Sequence, residues 1–333
     1  MDEVAGRSIL AIDLGGTQIR AAHVSPDLTV SNRRAVETRD EDGVEAVIDR
    51  ICTITQAVRD DARRAGLAEP LGIGISSPGP LDPWRGVVIE PPNLAGWHDV
   101  PLADRVEAAL GLPTFLVRDT NAAVMAEWRY GAARGADDVI YVTVSTGIGG
   151  GLIVNGQPLI GKDGTAGEVG HLTVEIDGPL CGDGMPGHAE AIGSGTAIAR
   201  EGSALIARGE APGLAALAAD TAVDAELVAR AADTGDVASQ AVLDRAWVAI
   251  GALCATLVVA LNPEVIVLVG SIALRRPEIR RAVRAEIDRR AFPGPARRVR
   301  VEMAQLADDV SLIGLLPIVN QRLTDQSHAK ELS

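Results

Sequence analysis

The first chemical signal lies in two glycine-rich stretches, Asp13-Leu14-Gly15-Gly16-Thr17 and Ser145-Thr146-Gly147-Ile148-Gly149-Gly150-Gly151, each preceded by an apolar run of β character. Glycines after a strand let the backbone turn tightly and bring N–H groups against phosphate oxygens with no Cβ in the way. In the first stretch Thr17 offers a hydroxyl, and Asp13 offers a carboxylate for a magnesium ion held through water. A plain hairpin turn is the competing reading of either stretch alone. Between them stands Asp119, preceded by Arg118 and followed by a helical pattern. A carboxylate at a strand end can take the proton of an attacking hydroxyl, the base role in phosphoryl transfer. The competing reading is a carboxylate that only complements the helix dipole. Two such turns flanking a carboxylate suit transfer of a phosphoryl group from a nucleotide to a hydroxyl, which is kinase chemistry.

These residues need strands and helices to position them. The pattern predicts strands over residues 8–14, 18–24, 28–37, 71–76 and 114–118, with a helix over 42–64 whose Val44, Val47, Ile48, Ile51, Ile54 and Val58 share one face. Ser77-Pro78-Gly79-Pro80 is a strong turn signal, and residues 82–98 read as a long surface loop. Thr120 is the expected N-cap of a helix running to Tyr130. Strands over 139–145 and 151–154 bracket the second glycine turn, a loop region covers 156–187, and helices dominate from there to Leu261. A strand at 265–269, a helix at about 276–290, a strand at 298–302 and a helix at about 309–323 complete the order, with a loose polar tail from Asp325. Strands followed by helices, twice over, suggest two α/β units facing each other across a cleft, divided near Asp119.

Composition bounds the partners. A chain of 333 residues with 47% hydrophobic content has enough apolar material for two domains, and with 2% aromatics its core must be aliphatic. The net charge of -14 argues against nucleic acid and anionic membranes as partners. Cys52, Cys181 and Cys254 make no disulfide framework and suit a reducing, cytoplasmic setting. The acidic Met1-Asp2-Glu3 start shows no signal-peptide pattern. An uncharged run from Ala246, broken at Asn262-Pro263, is short for a membrane span and reads as a buried helix.

Taken as a set, the motifs resemble those of the ROK family of sugar kinases and related repressors, in the superfamily of hexokinase, actin and the heat-shock chaperone ATPases. The matching residues are Asp13–Thr17, Ser77–Pro80, Pro92–Trp97, Asp119–Ala123, Ser145–Gly151, the Glu-x-Gly-His of Glu168–His171, Gly187–Glu190, Leu261–Glu264 and Asp309. The resemblance implies an α/β fold of two ribonuclease H-like (actin-like ATPase) domains around a central cleft. The smaller domain would comprise 1–118 plus a C-terminal helix of about 309–333, and the larger 119–308. It implies ATP-dependent phosphorylation of a hexose, glucose first, at its 6-hydroxyl, with Asp119 as general base and two lobes closing over the sugar. Gly79, Glu168, His171 and Glu190 match residues that line or hydrogen-bond the sugar. The nucleotide and its magnesium fall to Asp13, Gly15, Gly16, Thr17, Thr146, Gly147, Gly149, Gly150 and Gly270. A homodimer is implied as well.

Three departures qualify that likeness. The residue before the base, an asparagine that contacts the sugar in the family, is Arg118 here, which opens the choice among glucose, mannose, N-acetylglucosamine and N-acetylmannosamine. The family's triple glycine after the Asn-Pro-Glu strand is Val269-Gly270-Ser271. The family's three zinc-binding cysteines are reduced to Cys181, with Asp183 and His188 in the other two positions. With His171 these remain a tetrahedral zinc set, against a loop held by hydrogen bonds alone. A non-catalytic sugar sensor is the alternative class, although Asp13 lies too near the start for the N-terminal DNA-binding domain of the family's repressors. An actin-like ATPase would leave Glu168, His171 and Glu190 unexplained, and the choice between ATP and polyphosphate as donor stays open.

Overall fold

The computed structural model describes residues 7–219, 221–306 and 308–331, so Met1-Asp2-Glu3 lies outside them. The chain forms two compact units. Unit 1 takes the chain through Gly131, the segment Ile160–Ala166 and the residues from Leu306 onward; unit 2 takes Ala132–Leu159 and Gly167–Gln305.

In unit 1, β1 (Ile9–Leu14), β2 (Gln18–Val24) and β3 (Val30–Glu37) form an antiparallel meander, followed by the helix α1 (Val44–Arg64) and the strand β4 (Ile73–Ser77). β5 (Leu81–Asp82) and β6 (Val87–Val88) pair as a small hairpin inside the stretch expected to be bare loop. After α2 (Leu102–Leu110) come β7 (Thr114–Arg118) and α3 (Asp119–Tyr130). The sheet order is β3-β2-β1-β4-β7, with β4 parallel to both β1 and β7. The parallel strands β4 and β7, the latter at the sheet edge, are buried along their whole length, as strands covered on both faces must be. Alternation along β1 sends Leu10, Ile12 and Leu14 to the core shared with α1, and Ile9 and Ala11 to the core shared with Leu312, Leu315 and Val319 of the C-terminal helix Val310–Glu331.

Unit 2 repeats that strand order. β8 (Val139–Val144), β9 (Ile148–Val154) and β10 (Gln157–Pro158) are antiparallel, and β11 (Val265–Val269) and β12 (Arg300–Met303) add in parallel, giving β10-β9-β8-β11-β12. The helices are α4 (Glu190–Gly193), α5 (Gly195–Arg208), α6 (Pro212–Ala218), α7 (Ala225–Asp233), α8 (Val237–Leu261), α9 (Ser271–Arg275), α10 (Glu278–Arg290) and α11 (Pro293–Arg298). The helix expected at about 276–290 is α10; the short α9 before it ends ahead of Pro277, which cannot donate to a preceding turn. Among the described residues α8 alone is long and apolar enough to cross a membrane, but 67% of its apolar window is buried within the protein, as expected for a core helix. Within it, Cys254 is fully buried and its thiol is pushed up to about 12 by that burial.

Two boundaries differ from those read in the sequence. The C-terminal helix continues through Glu331, so residues 325–331 are helical rather than loose. The division between units falls after Gly131 rather than at Asp119, because α3 packs along the C-terminal helix. Gly314 permits that approach: a Cβ there would stand 1.7 Å from the Ala122 carbonyl oxygen, a backbone atom that cannot swing aside. Gly314→Ala should therefore cost about 3 kcal/mol or more, at or beyond the upper end for overpacking, measured by denaturant unfolding. Gly294→Ala is the control, since its Cβ would meet only Arg298 side-chain atoms at 3.8 Å; it should be neutral.

Candidate functional site

In unit 1 the first glycine stretch is a tight turn between β1 and β2. Gly15 N–H donates to Gln18 O at 3.0 Å, Thr38 N–H donates to Thr17 O at 2.9 Å, and the Thr38 hydroxyl donates to Gly15 O at 2.6 Å. A Cβ on Gly16 would lie 2.8 Å from Asn93 O, so this glycine is required by the approach of the 92–97 loop. Thr38 and Asn93 were not singled out from the sequence as part of this turn; only the family match at Pro92–Trp97 hinted at Asn93. Trp97 is buried at 1% exposure and serves packing. The carboxylate of Asp13 is held through Oδ2 by Nε and Nη2 of Arg20, at 3.1 and 2.5 Å.

β7 runs directly into α3, which places Asp119 at the helix N-terminus with its side chain only partly covered. Its Oδ1 accepts the Thr120 N–H at 2.7 Å, fixing the carboxylate at the positive end of the helix dipole. Thr120 is therefore not the N-cap. The helix starts at Asp119 with Arg118 in the N-cap position, two residues earlier than expected, and the Thr120 hydroxyl accepts instead from Arg118 Nε at 3.0 Å. Arg118 is 4% exposed, and its Nη2 donates to Ala166 O at 2.7 Å. A Cβ on Gly79 would be 3.5 Å from Arg118 Cδ, so the Ser77–Pro80 turn packs on its stem.

In unit 2 the second glycine stretch differs from the sequence expectation. Only Ser145–Gly147 form the turn, closed by Ser145 N–H to Gly147 O at 2.9 Å. Gly149, Gly150 and Gly151 lie in β9, opposite Thr143, Val142 and Tyr141. Gly150 is small because a Cβ would meet Val169 Cγ2 at 2.7 Å and Gly167 O at 3.1 Å. The Glu190 carboxylate reaches the turn, with Oε2 accepting Ile148 N–H at 2.7 Å. Gly270 has φ +98° and its Cβ would collide with Val144 O at 2.3 Å, so it is obligatory. Ser271, the departure beside it, places its hydroxyl 2.9 Å from that of Ser145.

Glu168 is exposed and leads into the turn carrying His171. The donor atoms of His171, Cys181, Asp183 and His188 all lie within 4.8 Å of one another. His171 Nδ1 is 2.9 Å from Asp183 Oδ2 and 3.3 Å from His188 Nδ1; His188 Nδ1 is 3.3 Å from Asp183 Oδ2. Donors around a tetrahedral zinc ion stand about 3–4 Å apart, given bonds of ~2.0–2.3 Å, so the set fits. Because His171 turns Nδ1 to the cluster, its Nε2 is directed elsewhere. The backbone N–H of Met185, then the neighbouring histidines, hold the Asp183 carboxyl below its usual range, while burial pushes the Cys181 thiol up.

A cavity of about 620 Å³ opens in unit 2 beside this turn. Its lining includes the polar Ser145, Thr146 and Thr196 and the apolar Ile198, Ala225, Ala229, Leu243, Trp247 and Ile272. Its charged lining includes Asp224, Glu226, Asp233, Arg230, Arg275 and Arg276, with Arg275 paired to Glu226 and Arg276 to Asp233. Trp247, expected as a pure core residue, is 5% exposed and borders this cavity.

Known proteins match nearly the whole length of this chain. The model of the ROK family matches residues 9–322. A glucokinase from Thermotoga maritima is 33% identical over 323 residues, spanning 95% of this chain and 98% of that protein. The crystal structure of a ROK hexokinase from Thermus thermophilus aligns with a TM-score of 0.81 at 33% identity, covering 96% of this chain and 99% of that one. A ROK family glucokinase from Streptomyces griseus, solved in complex with glucose and AMPPNP, aligns with a TM-score of 0.74 at 29% identity over 93% of this chain and 98% of its own. The two repeated sheets are thus those of the two-domain actin-like ATPase fold, and the chain belongs to the ROK family.

Proposed function

We propose that the protein is a sugar kinase that transfers the terminal phosphoryl group of ATP to the 6-hydroxyl of a hexose, glucose first. The observation that carries this reading is Asp119, a partly exposed carboxylate fixed by the Thr120 N–H at the start of a helix. It accepts the proton of the sugar hydroxyl while that oxygen bonds to phosphorus and the bond to the bridging oxygen breaks, releasing ADP. Glu168, Glu190 and the Nε2 of His171 supply acceptors and a donor for ring hydroxyls, and Gly79 lines the sugar beside Arg118. The Asp13–Thr17 turn and the Ser145–Gly147 turn bind phosphates through backbone N–H groups. Asp13 would hold magnesium through water by Oδ1, the oxygen that Arg20 leaves open among the described residues. When bound, magnesium neutralises charge on the transferring group. Zinc would be held by His171, Cys181, Asp183 and His188, and when bound it crosslinks the loop and fixes the His171 tautomer.

The cavity in unit 2 supports a nucleoside donor over polyphosphate. Its apolar wall suits a purine and ribose, and its three carboxylates offset its three guanidinium groups. A polyanion chain gains nothing from such a neutral lining. A second reading rests on Arg118. Its buried guanidinium stands where the family places a sugar-contacting asparagine, which favours a kinase for another hexose such as mannose, N-acetylglucosamine or N-acetylmannosamine. Three free thiols suit a reducing cytoplasm, and a homodimer is the assembly that the family resemblance implies.

In a coupled ADP-release assay over a hexose panel, sugar-dependent turnover is expected and should fall about 10²–10⁴-fold in Asp119→Asn, the usual span for a lost general base; unchanged turnover would remove Asp119 from the mechanism. Replacing ATP by polyphosphate should give no product, and efficient use of polyphosphate would refute the nucleoside assignment of the cavity. Metal analysis of the purified protein should find about one zinc per chain, lost in His188→Ala; a trace in the parent protein would rule out the four-residue site.

A further inference from the structure

The family match assigns Glu190 to the sugar, and within unit 2 its carboxylate has a second contact. Oε2 accepts the Ile148 N–H at 2.7 Å, and a Cβ on Gly147 would sit only 2.6 Å from the same oxygen. Glycine at 147 is therefore what lets the carboxylate reach the turn. Oε1 accepts from the Cys181 thiol at 3.8 Å. The turn itself is short, closed by one bond from Ser145 N–H to Gly147 O, and its Ser145 and Thr146 form part of the cavity wall. A carboxylate so close to a phosphate-binding turn would repel the ligand through space. Its compensating contribution is a charge-assisted bond to the Ile148 N–H.

We infer that Glu190 is a positioning residue for nucleotide binding: its carboxylate fixes the Ser145–Gly147 turn in the shape that receives the donor's phosphates. The same side chain also accepts from the Cys181 thiol, a bond that zinc ligation of the thiolate would remove. This inference rests on the kinase reading of the turn, and the two fail in different ways.

The test is the affinity of the purified, metal-replete protein for a non-hydrolysable ATP analogue, by calorimetry, with no sugar present. A residue that only contacted sugar would leave this quantity unmoved. Glu190→Ala should weaken the analogue about ten-fold, the equilibrium factor for losing one hydrogen bond to a charged group. Glu190→Gln keeps an oxygen acceptor for the Ile148 N–H and should stay within about three-fold of the parent, since a neutral acceptor forfeits only part of the bond. Gly147→Ala puts a Cβ 2.6 Å from Oε2 and so displaces the carboxylate from the Ile148 N–H. It should weaken the analogue as Glu190→Ala does, and the double variant should lose no more than either alone, which separates the bond from a direct effect of the methyl. Parent-like analogue affinity in Glu190→Ala or Gly147→Ala, with only sugar affinity lowered, overturns the inference and leaves the kinase reading standing. A parent protein that binds no analogue overturns both.

Discussion

The bond from the Thr120 N–H to Asp119 Oδ1 asks two opposed things of the chain: a carboxylate that is held still and yet keeps access to solvent and substrate. Unit 1 meets the demand by geometry. β7 is buried on both faces between β4 and the helices, so its direction is fixed by the sheet and not by local sequence. The next residue leaves the sheet at a helix N-terminus, where unpaired N–H groups are available and a negative charge is favoured by about 0.3–1 kcal/mol. α3 is then locked along the C-terminal helix at Gly314, so the helix end that carries the carboxylate cannot drift. Arg118 adds a second anchor, since its guanidinium spans from Thr120 to the Ala166 carbonyl and pins the 160–166 segment beside the same junction.

Unit 2 uses the same strand order for a different task. Two of its strands end instead at the Ser145–Gly147 turn, where a Cβ on Gly147 would meet the Glu190 carboxylate, and at Gly270, where it would meet the Val144 backbone. The metal-ligand candidates sit in the long loop that follows, and their chemistry differs from a thiolate-rich structural site. One sulfur, one carboxylate and two imidazoles bind zinc with less covalent character than three thiolates and an imidazole. What the loop loses in donor softness it replaces in part with direct bonds: Asp183 accepts the Met185 N–H at 2.9 Å, and Cys181 N–H donates to Met185 O at 2.8 Å. The loop is therefore folded by its own hydrogen bonds before any ion is considered.

Much of this was legible in the sequence because it is local. β1, β2, β7 and β11 follow from apolar runs ended by glycine, aspartate or Asn-Pro, and the α1 face follows from helical spacing. The four clustered donors sit within eighteen residues of one another, so their meeting needed only a loop. What escaped depends on contacts distant in sequence. Gly149–Gly151 read as turn because glycine is the common turn residue, whereas β9 needs small residues where Val169 and Gly167 cross it. Thr120 read as a cap because its hydroxyl suits one; a neighbouring arginine engaged it first. The Arg118 bond to Ala166 and the Glu190 bond to Ile148 join positions more than forty apart, and no periodicity reports such pairs. The unit boundary moved for the same reason, since α3 belongs to whichever sheet the C-terminal helix covers.

The acidic balance of the whole chain sharpens the role of that local chemistry. A net charge of -14 opposes the approach of a nucleotide triphosphate at long range. Screening limits the opposition, because at physiological salt the Debye length is about 8 Å and distant carboxylates count for little. Within that distance the lining of the unit 2 cavity is balanced, with Glu226 and Asp233 each bound to an arginine. In the proposed kinase, favourable phosphate interactions would then come from backbone dipoles and a cation rather than from surplus lysine or arginine. This is why the turns have to be rigid: a dipole binds an anion only when it is aimed, whereas a point charge binds from any direction. Bracing the 145–147 turn by a carboxylate is costly in Coulomb terms, but the aim of the N–H groups is the quantity such a site depends on.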